Sequence, residues 1–182
     1  MAQPNIIALG DIRPDVSRAA FVAPGVHVIG DVTLGEDSSI WYNCVLRADV
    51  NRIRIGARTN IQDGSIVHCD SPQHGDAGYP TIIGDDCVIG HMVMLHGCTL
   101  ENRAFVGMGA IVLNDAVIES DGMLAAGAML TSGKRILSGQ LWAGRPARYF
   151  RDLTPQDIAY NQEGVTHYVD NARRHAAAIR TG

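Results

Sequence analysis

His68, His91 and His96 fall within the stretch IQDGSIVHCDSPQHGDAGYPTIIGDDCVIGHMVMLHG, which also carries His74. Neutral imidazole is the commonest metal ligand among side chains. Three imidazoles leave a tetrahedral ion one open position, which is what a catalytic rather than a structural site needs. Zn2+ suits that set, and Fe2+ or Co2+ fit it as well. Chain spacing alone does not bring three rings together, so the fold has to do it.

The elements that must position them are written as a repeat. From Val22 an aliphatic residue recurs every six positions: Val22, Val28, Leu34, Ile40, Leu46, then Ile55, Ile61, Val67, then Ile83, Ile89, Leu95. It continues as Leu100, Val106, Val112, Ile118, Leu124, Leu130 and Ile136. Small or β-branched residues such as Val26, Cys44, Ala104, Ala110 and Ala116 often follow four positions later. A helix would need spacings of three and four, which this pattern does not keep. A six-residue period with small corners marks a solenoid whose turns bury their apolar faces only by stacking. The pattern resembles the left-handed parallel β-helix, a triangular prism with one hexapeptide on each face. The fold expected is therefore an all-β solenoid of about six coils, each of about eighteen residues. It would occupy residues 1–150.

The period breaks in three places. Leu46 to Ile55 has three residues too many, Val67 to Ile83 has ten too many, and Leu95 to Leu100 has one too few. Gly, Pro and Asp in the second break mark a surface loop. After Trp142 the pattern ends. Thr154-Pro155-Gln156-Asp157 then reads as a helix start, with an N-cap Thr, Pro at the first helical position and an acid at the third. Residues 151–182 are expected to form a C-terminal α-helix, weakened at Gly164-Val165-Thr166, that packs on the β-helix or on a neighbouring subunit.

With the insertions removed, Leu46, Val67 and Leu95 fall one coil apart on one face. Arg47, His68 and His96 each follow their anchor, so they form one outward column. Adjacent strands lie roughly 4.8 Å apart, and Zn–N bonds of about 2.0–2.1 Å let His68 and His96 share an ion. His91 belongs to the preceding face, roughly 16 Å of extended chain before His96. Strict alternation points it inward, and a corner separates it from the other two. Prisms packed side by side in a closed ring would remove the difficulty, because one face of each would meet a different face of the next.

The stretches WYNCVLRADVNRIRIG, NIQDGSIVH and GHMVMLHGCTL resemble the gamma-class carbonic anhydrases, and the likeness covers nearly the whole chain. What it implies is a homotrimer of left-handed β-helices with metal sites shared between subunits, where His68 and His96 meet the adjacent chain's His91. It implies CO2 and bicarbonate as substrate and product, with metal-bound hydroxide as the nucleophile. The family's interface pair matches Arg47 and Asp49, its site-lining polar residues match Gln62 and Asp63, and a tyrosine beside the site matches Tyr168. Well-studied members carry glutamates proposed as proton shuttles. Val50 stands at one of those positions, and the loop before Ile83 is short and offers Asp70, His74 and Asp76 instead. His74 is the candidate shuttle, since an unperturbed imidazole suits the role. Without the glutamates, turnover is expected to be weak. The alternatives are a metal-dependent acyl-CoA thioesterase, a hexapeptide acyltransferase, or a non-catalytic bicarbonate-binding protein.

Composition narrows the field further. The chain has 182 residues, 46% of them apolar and 19% charged, and this suits one globular domain. A net charge of −4 and no basic run give no electrostatic basis for binding nucleic acid. No apolar run has the length of a membrane span, and the N-terminus lacks signal-peptide features. Cys44, Cys69, Cys87 and Cys98 show no CxxC pairing and are expected to be reduced and buried. A cytoplasmic protein is expected.

Overall fold

The computed structural model describes residues 3–72 and 77–181. Parallel strands stack into a solenoid of about seven turns, a left-handed β-helix with a single helix after it. One face is built from Asn5–Ile7, the leading parts of His27–Leu34 and Val45–Ile55, Ile66–His68, Met94–His96, Ile111–Val112 and Met129–Leu130. The trailing parts of the two long strands begin a second face, continued by Thr81–Ile83, Thr99–Leu100, Val117–Ile118 and Arg135–Ile136. A third face runs from Phe21–Val22 through Ser39–Ile40, Asn60–Ile61, Val88–Ile89, Phe105–Val106 and Met123–Leu124 to Gln140–Gly144. An antiparallel partner, Ala147–Asp152, closes the last coil as a hairpin.

About six coils are expected from the repeat, and about seven are present. The additional turn comes first. Asn5–Ile7 pairs in parallel with His27–Ile29, and the residues that break the six-residue spacing there are closed off by an antiparallel bridge between Leu9 and Ile12.

The repeat is the core. Val28, Leu34, Ile40, Leu46, Ile61, Val67, Ile89, Leu95, Val106 and Leu124 have no accessible surface. Burying each such side chain is worth about 1.5–3 kcal/mol, a gain available only when a coil lies above or below it. The residues at the corners must be small because three faces converge there, and Val26, Cys44, Ala110 and Ala116 are equally buried. Burial pushes the thiols of Cys44, Cys87 and Cys98 up to about 12, and that of Cys69 upward, so all four remain protonated at neutral pH. The outer corners need positive φ. Between the third and first faces Gly64, Met92 and Gly109 occupy that position in successive coils. A Cβ at Gly64 would stand 2.6 Å from Met92 Sδ, the outer part of an exposed, flexible side chain that would have to turn aside.

The helix spans Pro155–Thr181. Thr154 and Asp157 cap it reciprocally: the Asp157 N–H donates to Thr154 Oγ1 at 3.2 Å, and the Thr154 N–H donates to Asp157 Oδ2 at 2.8 Å. Gly164 does not interrupt it, because Val165 and Ala172 are buried against the solenoid and tertiary packing outweighs local propensity. The helix lies on the third face of its own chain. Trp41 meets Tyr168 edge-on at 5.4 Å and His175 at 5.0 Å, and Tyr42 Oη lies 2.9 Å from His175 Nδ1.

The ten-residue insertion returns to the core at Thr81, which is fully buried. Its hydroxyl donates to the His68 carbonyl at 2.5 Å and accepts the Gly97 N–H at 2.9 Å, so it ties the backbones next to His68 and His96 together. Thr81→Val keeps the shape and removes both bonds. The Gly97 N–H keeps its direct bond to the His68 carbonyl at 3.2 Å, so the loss is that of the two hydroxyl bonds, about 0.5–1.5 kcal/mol each, and the urea midpoint should fall by a corresponding amount. An unchanged midpoint would contradict this role for Thr81.

Candidate metal centre

On the first face the coil-to-coil register pairs Arg47 with His68 and His68 with His96. Leu46, Val67 and Leu95 point inward, so their successors point outward. His68 Nδ1 and His96 Nε2 lie 3.1 Å apart with their rings inclined at 58°. Two imidazole nitrogens that meet at the surface are a donor pair that a divalent transition metal fits.

Each ring is held from outside. His68 Nε2 lies 3.0 Å from Asp49 Oδ1, and Asp49 Oδ2 accepts from Arg47 Nη1 at 2.5 Å. Burial raises the Asp49 pKa, but the bonds from His68 and Arg47 outweigh it and leave the carboxyl below its usual range. Arg47 and Asp49 thus pair within one chain. His96 Nδ1 lies 2.5 Å from Asn114 Oδ1, and Asn114 Nδ2 donates to Asp70 Oδ2 at 2.8 Å.

His91 stands elsewhere. Val88–Ile89 ends one residue before Gly90, and His91 then opens the corner toward Met92. Strand alternation no longer applies there, so the ring turns outward rather than into the core, with its side chain 41% exposed. Its Nδ1 lies 2.9 Å from Asp63 Oδ2. Gln62, His91, Phe105, Met108 and Tyr168 line a groove of about 330 Å³ beside it. The Gln62 amide is almost fully buried and donates to Asn60 Oδ1 at 3.1 Å. Burial, followed by the Asp63 charge, raises the Tyr168 phenol above its ordinary value.

The chain therefore brings together His68, His96, Arg47 and Asp49 on one face, and His91, Gln62, Asp63 and Tyr168 around another. Among the described residues, no three His, Cys, Asp or Glu side chains of one chain converge to hold a metal. His74 lies outside the described residues. Asn60, Asp70, Thr81 and Asn114 support the two groups, and the sequence pattern did not single them out for it. Asn114 had a signal available, since it lies two residues past Val112, the register partner of Leu95.

The surface beside the histidine column is apolar. Val45, Ile66, Met94, Ile111 and Met129 stack in register next to it, and Met92 and Met108 on the adjoining corner are exposed. Ile66 and Met94 in that stack are exposed, and Val45, Ile111 and Met129 are half-exposed.

No family model matches the chain. It is 50% identical over 167 residues to gamma carbonic anhydrase 1, mitochondrial, of Arabidopsis thaliana, covering 92% of this chain and 61% of that protein. It thus spans less than two thirds of the length of that relative. Against the carbonic anhydrase of Geobacillus kaustophilus it is 46% identical over 164 residues, covering 90% of this chain and 87% of that protein. A solved hexapeptide transferase family protein from Anaplasma phagocytophilum superposes with a TM-score of 0.85 at 45% identity, over 93% of this chain and 96% of that one. The two carbonic anhydrase relatives span the histidines and the repeat that positions them, and the chain belongs to the gamma carbonic anhydrase family.

Proposed function

We propose that the chain acts as a metal-dependent carbonic anhydrase, a homotrimer that hydrates CO2 to bicarbonate at centres shared between neighbouring subunits. The observation that carries this reading is the split of the three histidines. His68 and His96 stand side by side on one face, while His91 opens from the corner of another. Prisms in a cyclic trimer present those two surfaces to each other, and the apolar column beside His68 and His96 gives such a contact surface to bury. Zn2+ is the ion proposed, and Fe2+ or Co2+ would suit the same ligands. When bound, the ion supplies Lewis acidity that lets water lose a proton near neutral pH, behaviour established for carbonic anhydrases as a class.

The chain's own groups do the rest. Asp63 occupies Nδ1 of His91 and leaves Nε2 as the nitrogen that ligates. Asp49, itself held by Arg47, steadies His68 and contributes to the subunit contact. Asn60 fixes the Gln62 amide so that its remaining polar atoms orient water and CO2. Tyr168, kept protonated, lines the groove as a hydrogen-bond donor. A reducing compartment, the cytoplasm in our reading, suits four buried thiols.

A second reading has one observation in its favour. Beyond Gln62 and Tyr168 a groove of about 360 Å³ runs under the helix past Phe105 and Gly164, more room than CO2 demands. Hydrolysis of an acyl-CoA thioester at the same centre would use it.

Metal analysis of anaerobically purified protein, followed by CO2 hydration and acyl-CoA hydrolysis assays on the same sample, tests both readings. Bound metal with CO2 hydration is expected. Intact trimers without metal would contradict the first reading, and thioester hydrolysis without CO2 hydration would favour the second.

Hydration yields a proton along with bicarbonate, and Val50 offers no group to carry it. His74 is proposed to do so. At low buffer concentration His74→Ala should slow CO2 hydration, and added imidazole should restore it. An unchanged rate without imidazole would remove His74 from the mechanism.

A further inference from the structure

We propose that Asn114 and Asp70 are positioning residues that fix which nitrogen of His96 carries the ring proton; this rests on His96 being a metal ligand.

Asp70 sits at the start of the ten-residue insertion, and every polar atom it has is engaged. Its N–H donates to the Tyr79 carbonyl at 2.8 Å, and its carbonyl accepts from Asn51 Nδ2 at 3.0 Å. Its Oδ1 accepts the Ser71 N–H at 3.1 Å, and its Oδ2 faces Asn114 Nδ2 at 2.8 Å. A carboxylate only accepts hydrogen bonds. Asn114 must therefore turn its NH2 group toward Asp70, which leaves its carbonyl oxygen facing His96 Nδ1 at 2.5 Å. That oxygen also only accepts, so the hydrogen belongs on Nδ1. In a neutral imidazole the other nitrogen, Nε2, is then a bare lone pair, and Nε2 is the atom that faces His68.

A metal needs that lone pair. With Asp70 absent, the Asn114 amide is free to flip and offer N–H to His96, which favours the tautomer protonated at Nε2 and closes the ligating position. His68 and His91 have carboxylates against their rings, Asp49 and Asp63, whereas His96 has a neutral amide whose direction is set by a charge one residue further out. Gly97 belongs to the same arrangement. A Cβ there would lie 2.8 Å from Asn114 Oδ1 and 2.8 Å from Tyr79 Cβ, so a side chain would push the amide or the loop aside. The insertion thereby serves the centre through its base, independently of any proton-carrying role further along it.

Long-range 1H–15N NMR of the metal-free full chain reads the His96 tautomer directly, and competition with a chelator for Zn2+ reads affinity. The wild-type ring should carry its proton on Nδ1. Asn114→Leu and Asp70→Ala should lose that preference and weaken Zn2+ binding about 10- to 100-fold. Asp70→Asn, whose one acceptor oxygen goes to the fixed Ser71 N–H and whose NH2 then faces Asn114, should lose the preference as well. If Asn114→Leu fails to assemble, Asp70→Ala on the surface loop carries the same test. A wild-type ring protonated at Nε2, or variants with unchanged tautomer and affinity, would overturn the proposal. A wild-type chain that binds no Zn2+ would overturn it at its premise, and that failure is separable because the tautomer readout needs no metal.

Discussion

Parallel register between coils is the constraint on which everything else in this molecule rests. Each strand is only two or three residues long on most faces, so no strand is stable alone. Stacking fixes the register because a slip by one residue would expose Leu46, Val67 and Leu95 and bury Arg47, His68 and His96. The inward aliphatic residues thus determine the outward ones. The 3.1 Å approach of His68 and His96 follows from core packing, and Thr81 and Asn114 hold the backbone and the ring beside it. Side chains on such a ladder are held rigid at little cost, since they branch from strands already held on both sides.

The corners limit what one prism can do. A flat ladder can align ligands along a face, but it cannot bend a ring from the next face around the edge. His91 lies past the end of its strand, paired with Asp63, and among the described residues it does not converge with the other two histidines. Adding a second copy answers this geometry with a surface already present, namely the apolar column from Val45 to Met129. Oligomer and centre then become one question, because a subunit contact that buried the column would also be the contact that completes the proposed ligand set.

Much of this was legible in the sequence, and the limits follow the physics. Face assignment worked because side-chain direction alternates with a fixed period, so counting from Leu46 to Val67 to Leu95 sufficed even across two insertions. The first turn was missed because the spacing from Ile6 to Val28 is not a multiple of six, and pairing rather than periodicity defines that coil. The direction of His91 could not be read because alternation lapses at a corner, where positive φ at Met92 sets the chain path. Asn114 and Asp70 are 44 positions apart and meet through a loop closed by Tyr79 and Asn51, contacts that carry no local signal. The helix was legible at its cap, Thr154 to Asp157, and misleading at Gly164, where burial of Val165 overrides propensity.

The central claim is that each centre takes His68 and His96 from one chain and His91 from the next. Metal content of trimers re-formed from a mixture of His91→Ala and His68→Ala chains tests it most directly. Either variant alone should bind no metal, and every mixed trimer should regain one intact site, because one junction in the ring always joins the two wild-type halves. Full metal content in the His91→Ala trimer, or none in mixed trimers shown to contain both chains, would contradict a shared centre.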